Sequence, residues 1–424
     1  MTLTNFDGLG LVEPLRLALK AENYLKPTPI QARTIPLLHE GKDLLGIAET
    51  GTGKTAAFAL PILQRLSLQR LPRASGAPHA LILAPTRELA GQIGERFGAY
   101  GRGLPLRTAV IFGGVNQYHQ VKALKTGVDI LIATPGRLLD LCDQRHVRLD
   151  KVSILVLDEA DRMLDMGFVR DVRKIVSRCR RERQTLLFSA TMPPAIAKLA
   201  RDILCDPVRV DIAPPKVAVD RIKQSVFFVN TKEKQALLES LLTDAGMDRV
   251  LVFTRTKRGA DRVCRDLMRT GVTTVAMHGN KAQNARERAL DSFRKGHARV
   301  LVATDIAARG IDVPGISHVI NYQLPNEPES YVHRIGRTAR AGAEGAALSF
   351  CDPSERPYLQ AIERLMQSPV TVGEHRPAAT PQAARDSLPH GETSKRRRSS
   401  RKRRFTGVQR LGQAPREGRA CLSR

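Results

Sequence analysis

Short apolar runs recur along the chain, and helical patterns separate them. In the first half the runs are Leu44–Ile47, Leu81–Ala84, Ala109–Phe112, Ile130–Ala133, Ile154–Leu157 and Leu186–Phe188. In the second half they are Ser225–Val229, Val250–Phe253, Thr274–Met277, Val300–Ala303 and His318–Asn321. Most are β-branched and continuously apolar rather than alternating. A strand that is apolar on both faces is covered on both, so the pattern predicts an α/β fold with parallel sheets between layers of helix. Nearly every run ends in a small or polar cluster, where open α/β sheets place their ligands. Any single cluster is explained equally well as turn chemistry.

The chain has 424 residues, too many for one ordinary core, so two domains are expected. The adjacent Pro214 and Pro215 fit neither a helix interior nor a central strand. They place the boundary: one domain over 1–210, a linker over 211–219 and a second domain over 220–368. Beyond Ser368 the apolar period fades and Pro, Ala, Ser and Arg take over, so 369–424 is expected to be a disordered basic tail. Its densest part, Lys395–Arg404, cannot bury itself; it reads either as a non-specific tether for a polyanion or as a solvated tail.

Two of the run ends carry chemistry. Leu44–Ile47 leads into Ala48-Glu49-Thr50-Gly51-Thr52-Gly53-Lys54-Thr55, and a helical pattern starts at Ala56. Gly51 and Gly53 let the backbone approach an anion closely, and a helix N-terminus aims partial positive charge at it. In such a strand–loop–helix, Lys54 reaches the β- and γ-phosphates of a nucleotide and Thr55 ligates Mg²⁺. Ala48 stands where the strict signature has its first glycine. The second end is Asp158-Glu159-Ala160-Asp161 after Ile154–Leu157. Alone it could merely cap a helix. Paired with the loop, it supplies Asp158 as a Mg²⁺ ligand and Glu159 to orient and activate the attacking water.

The net charge of +26 suggests a polyanionic partner, with the tail as the alternative source. Six cysteines are scattered without a C-x-x-C pair, which points to reduced thiols in a cytoplasmic setting rather than zinc or disulfides. No signal peptide is read at the N-terminus, and no apolar run nears the ~20 residues that span a bilayer. Aromatics are scarce, so backbone gripping is expected over base stacking.

The spelling Asp158-Glu159-Ala160-Asp161, followed by Ser189-Ala190-Thr191, resembles the DEAD-box RNA helicase family. The likeness covers about residues 1–368, with the motifs in family order. His278–Gln283, the compact core and the basic tail look most similar to the bacterial RhlE branch. The resemblance implies two tandem RecA-like domains, ATP and Mg²⁺ as cofactors, and RNA as partner. It also implies ribosomal or RNA-decay proteins as further partners. Thr28-Pro29-Ile30-Gln31 is similar to the Q motif: Gln31 would read the adenine edge and Phe6 would stack on it, with Asn23 where glycine is usual. The loop Thr50, Gly51, Thr52, Gly53, Lys54 and Thr55 would hold the phosphates. Arg337 and Arg340, three apart and so on one face if that segment is a helix, would be arginine fingers, with Ala339 in place of the usual glycine.

By the same match Asp312 binds the ribose, Arg309 links the domains, and His333 signals to Asp161 and Ser189, with Thr191 in the same coupling set. Pro85, Thr86, Arg87, Gly113, Gly114, Thr134, Pro135 and Arg137 would hold RNA in the first half. Arg255, Arg286 and Thr304 would do so in the second. The implied activity is RNA-stimulated ATP hydrolysis coupled to local duplex unwinding or RNP remodelling. An ATP-gated RNA clamp without unwinding is the rival.

Overall fold

A computed structural model of the chain describes residues 5–48, 51–212, 222–308, 313, 315–339 and 344–373, with Ile306 as backbone only. Glu49, Thr50, Arg309, Asp312, Arg340 and the Lys395–Arg404 block therefore lie outside the described residues.

Two parallel sheets carry the architecture. The first contains β1 (Leu44–Ile47), β2 (Ala80–Leu83), β3 (Thr108–Ile111), β4 (Ile130–Ala133), β5 (Ile154–Leu157), β6 (Gln184–Ser189) and β7 (Val208–Asp211) in the order β3-β4-β2-β5-β6-β1-β7. The second contains β8 (Ile222–Phe228), β9 (Val250–Thr254), β10 (Thr274–Met277), β11 (Val300–Thr304), β12 (His318–Asn321), β13 (Gly345–Cys351) and β14 (Thr371–Val372) in the order β10-β11-β9-β12-β13-β8-β14. The two orders match position for position. All pairings within both sheets are parallel.

The continuous apolar runs explain this. Successive residues of β5 point to opposite faces: Ile154 and Val156 join one core, Leu155 and Leu157 the other. The first core also takes Phe58 from the helix Lys54–Gln69 and Phe97 from the helix Arg87–Tyr100, with Phe58 5.5 Å from Phe188 of β6. Among the described residues no helix is long and apolar enough to cross a membrane.

Every apolar run picked out by sequence is a strand, with ends moved by up to three residues. The pattern missed β7, β13 and β14. β13 reads Gly-Ala-Ala-Leu-Ser-Phe-Cys, small residues that give little strand signal, yet it lies between β12 and β8 and is almost wholly buried. β7 is an edge strand with one buried face, and it corrects the expected linker: Asp211 is its last residue, paired with Ile47. The tail boundary is corrected as well. Val370 is buried and Thr371–Val372 pair with β8, so the fold includes residues 369–373, because one more strand covers the sheet edge.

The strand order divides the carboxyl edge of the first sheet. The phosphate loop follows β1 and the acidic cluster follows β5, with the β6 end between them. Pro85-Thr86-Arg87 follows β2, Gly113-Gly114 follows β3 and Thr134-Pro135 follows β4, all on the other half.

Close packing makes β1 intolerant of volume. A Cβ on Gly46 would lie 2.6 Å from the Phe188 ring. Gly46→Ala is expected to cost about 1–3 kcal/mol in urea unfolding, through forced displacement of that ring.

Candidate nucleotide and nucleic-acid site

The loop after β1 is shaped by two left-handed glycines, Gly51 at φ 86° and Gly53 at φ 94°. A side chain at Gly53 would meet Gln31 Nε2 at 2.5 Å. That approach is used: Gln31 Nε2 donates to the Gly53 carbonyl at 3.1 Å, while Gln31 Oε1 accepts from the Thr28 amide at 2.9 Å. Gln31, expected to read adenine, is thus fully buried and braces the phosphate loop. Thr28 and Gln31 together form a capping box at the start of the helix Pro29–His39. Phe6 sits in the first core at 6% exposure, packed among aliphatic side chains rather than offering an open face to a base. Asn23 takes φ 60°, a conformation asparagine tolerates, so the missing glycine costs little there.

Lys54 opens the helix Lys54–Gln69, and its Nζ donates to the Ala48 carbonyl at 2.7 Å, bridging the base of the loop. The first N–H groups of that helix have no partner within it, which suits an anion. Thr55 follows one residue on and is partly buried.

At the β5 end, Asp158 is 2% exposed and its Oδ1 is buried without a hydrogen-bond partner. Burial pushes its pKa up to about 7; the Glu159 charge adds to this, and Lys54 and Arg162 oppose it. A buried carboxylate with an unshared oxygen is suited to a hard divalent cation. Among the described residues no group of three His, Cys, Asp or Glu could hold a metal. Mg²⁺ needs no such cage, since it takes one or two protein oxygens and fills its shell with water and phosphate. The residues present fit it.

Glu159 adopts φ 55°, unusual for a residue with a side chain, and its Oε2 accepts from Arg162 Nη1 at 2.5 Å. Asp161 turns the other way. Its Oδ2 accepts from the Ala190 amide at 3.2 Å, the Thr191 amide at 3.0 Å and Thr191 Oγ1 at 3.1 Å. Ser189 Oγ accepts from the Asp161 amide and donates to the Thr191 carbonyl. Burial works to raise the Asp161 pKa, but Lys54, His333, Arg162 and the Thr191 N–H outweigh it, and the carboxylate is held below its usual range.

His333 belongs to the second half of the chain, on the helix Pro328–Ile335. That helix ends before Arg337: Gly336 terminates it, and Arg337 follows in a turn. Arg337 is nearly buried, and its Nε donates to the His333 carbonyl at 3.1 Å. Ala339 stands at φ 54°, which explains why glycine suits that position.

His333 and Arg337 line a cavity with Arg162, Phe253, Asp305, Ala308, Ser330 and Arg334. Arg334 forms a two-pronged pair with Asp305 at 2.5 and 2.7 Å, donates to Asn321 Oδ1 and the Gln323 carbonyl, and lies 4.9 Å from the Phe253 ring centroid. Sequence reasoning missed Arg162, Asp305 and Arg334. The only signal was their adjacency to named motifs.

The first-half nucleic-acid candidates gather on the β3-β4-β2 edge, and Arg286 stands on the facing helix Gln283–Arg294 of the second half. Thr86 caps the helix Arg87–Tyr100 by accepting from the Leu89 amide at 3.2 Å, and Pro85 precedes it. Arg87 packs against Gly114, which has φ 76°. Space beside Gly113 is open. Thr134 and Pro135 start the helix Pro135–Asp143, and Arg137 donates to Gln120 Oε1 and the Val115 carbonyl. Across the junction Arg286 Nη2 pairs with Glu88 Oε1 at 2.9 Å, and Arg87 Nη1 donates to Gln283 Oε1 at 3.4 Å. Arg286 is thereby partly occupied by an ion pair between the halves, and Glu88 is a partner that sequence reasoning missed. The Arg87 pKa is lowered by burial first and then by the Arg286 and Arg137 charges. Crowded guanidinium groups of this kind favour an anion between them. Arg255 pairs with buried Glu355 and lies 5.3 Å from the Tyr358 ring centroid. Thr304 ends β11 and is buried.

Residues 28–199 match the family described as DEAD/DEAH box helicase, and residues 233–342 match the helicase conserved C-terminal domain. The chain belongs to the DEAD-box helicase family. Among its DEAD-box relatives, the ATP-dependent RNA helicase CshA of Limosilactobacillus reuteri is 43% identical over 360 residues, which are 85% of this chain and 71% of the relative. The ATP-dependent RNA helicase DBP2 of Candida glabrata is 45% identical over 82% of this chain and 65% of its own length. The chain thus spans about two thirds of the length of these relatives. Among solved structures, S. cerevisiae Dbp5 bound to RNA and ADP BeF3 matches with a TM-score of 0.76 at 33% identity, over 87% of this chain and 95% of that one. The DEAD-box helicase Mss116 bound to ssRNA and UDP-BeF matches with a TM-score of 0.80 at 28% identity, over 89% and 81%.

The raised Asp158 pKa has a consequence for this DEAD-box core. A carboxyl group whose folded pKa exceeds its unfolded value near 3.9 makes the folded protein bind more protons, so stability falls as pH rises from about 4 to about 7. Asp158→Asn removes that penalty. Without ligand at pH 8 the variant is expected to melt above the wild type, and the gap is expected to close towards pH 4. Added Mg²⁺ and ADP should raise the wild-type Tm by more than the variant's, as read by differential scanning fluorimetry.

Proposed function

We propose that this chain is an ATP-dependent RNA helicase whose ATP hydrolysis is coupled to local RNA unwinding or RNP remodelling. The observation that carries the reading is the composite site. Glu159 is held by Arg162, which lines a cavity to which the second half supplies His333 and Arg337, and the Lys54 and His333 charges both act on Asp161.

In this reading ATP binds with its phosphates at the N-terminus of the helix Lys54–Gln69, and Lys54 leaves the Ala48 carbonyl for the β- and γ-phosphates. Thr55 and Asp158 would hold Mg²⁺, which neutralises phosphate charge when bound. Glu159 orients a water for in-line attack on the γ-phosphorus. The bond to the β–γ bridging oxygen breaks, and ADP and inorganic phosphate leave. Charge that develops on the γ-phosphoryl oxygens is met by Arg337, and by Arg340 as the resemblance implies. Gln31 serves first as a brace between the Thr28 segment and the phosphate loop, a contact through which base recognition can reach the loop.

RNA lies along the β3-β4-β2 edge and on Arg255, Arg286 and Thr304, contacting backbone and 2′-hydroxyls rather than reading bases. Because it bridges both halves, RNA favours their closure around ATP, and by linkage ATP tightens RNA by the same factor. The scattered cysteines support a reducing, cytoplasmic setting.

ATPase activity is expected to be low alone and to rise with RNA on a panel of single-stranded RNA, duplex RNA and DNA. Glu159→Gln should lower kcat by about a hundredfold or more while nucleotide binding persists. Equal rates with and without RNA would contradict the coupled mechanism. Short-duplex displacement with ATP tests unwinding itself; tight ATP-dependent binding without strand release would favour the clamp.

A further inference from the structure

Arg162 stands directly after the acidic cluster, and no role has been assigned to it so far. It is 2% exposed, and its Nη1 holds Glu159 Oε2 at 2.5 Å. Its backbone N–H donates to Asp161 Oδ1 at 3.1 Å, so one residue touches two of the three carboxylates of the cluster. An exposed pair three residues apart on a helix would be worth a few tenths of a kcal/mol and would mean little. This pair is buried at both ends, where an unpartnered charge is costly, so the two side chains constrain each other. Glu159 needs such a constraint, because its φ of 55° lies in a sparsely populated region that must be held by its surroundings.

Arg162 has a second face. Among the described residues it is the sole member of the first half that lines the cavity formed by Phe253, Asp305, Ala308, Ser330, His333, Arg334 and Arg337. Its Nη2 is buried without a hydrogen-bond partner. One guanidinium therefore bridges the carboxylate beside the phosphate loop and the wall contributed by the second half.

We propose that Arg162 is a positioning residue that couples closure of the two halves to the placement of Glu159. When the second half packs against it, Arg162 loses its rotamer freedom and fixes the Glu159 carboxylate for the attacking water. When the halves separate, Arg162 and Glu159 lose that wall together. This rests on the reading of Glu159 given above.

The test uses the full chain with saturating RNA. Arg162→Ala, Arg162→Lys, Glu159→Gln and the double variant Glu159→Gln/Arg162→Ala are compared by steady-state and single-turnover ATPase, with melting curves as a check on folding. Arg162→Ala is expected to lower kcat by about 10–100-fold with KM for ATP changed less than about threefold, the signature of a misplaced reacting group rather than weakened binding. Arg162→Lys keeps the charge but not the planar fork and should recover part of the loss; it also serves if the alanine variant does not fold. In the Glu159→Gln background, removing Arg162 should cost nothing further, because its effect passes through Glu159.

Arg162 variants with wild-type kcat, a rise in KM that accounts for the loss, or a double variant whose losses multiply would each overturn the proposal. A Glu159→Gln variant with wild-type kcat would instead overturn the assignment of Glu159, and this proposal with it.

Discussion

Five charged groups are packed out of water at the carboxyl edge of the first sheet: Lys54, Asp158, Glu159, Asp161 and Arg162. A buried charge without a partner costs several kcal/mol, so each of these groups must find one. Lys54 takes the Ala48 carbonyl, Glu159 takes Arg162, and Asp161 takes the N–H groups and hydroxyl of the β6 end. Asp158 is left over, with one oxygen unshared and its proton held up to about neutral pH. That imbalance leaves one carboxylate oxygen open at the end of β5, beside a helix N-terminus suited to an anion.

The sheet order makes this arrangement possible. With β6 between β5 and β1, the Ser189-Ala190-Thr191 turn lies between the phosphate loop and the acidic cluster and bonds to the latter. A change at the phosphates can reach the β6 turn through Asp161, and His333 brings the second half into the same electrostatic neighbourhood. The opposite half of the same edge carries crowded guanidinium groups, where Arg87 is perturbed by Arg286 across the junction. The phosphate loop with the acidic cluster and the guanidinium cluster thus occupy separate stretches of one sheet edge.

The second sheet repeats the order of the first, yet its own carboxyl edge is used differently. Arg334 is locked by Asp305, Asn321, Gln323 and the Phe253 ring, and Arg255 by Glu355 and Tyr358. These contacts hold both guanidinium groups in fixed positions within the second half.

The sequence by itself determined the strands that are continuously apolar, because burial on both faces demands it, and the phosphate loop and acidic cluster, because their residue types serve so few other ends. It could not determine β13, whose small residues are a strand only because β12 and β8 flank them, or Thr371–Val372, which are ordered only by the edge they cover. Arg337 shows the same limit: a spacing of three suggests a helical face, but Gly336 ends the helix first. Only the tertiary structure decided that Gln31 braces the phosphate loop, that Phe6 is core, that Arg162 lines a cavity with residues of the second half, and that Glu88 meets Arg286. Local pattern records which residues prefer burial or a turn. Which charges neutralise one another depends on strands that cross far along the chain, and that information exists only once the sheets have formed.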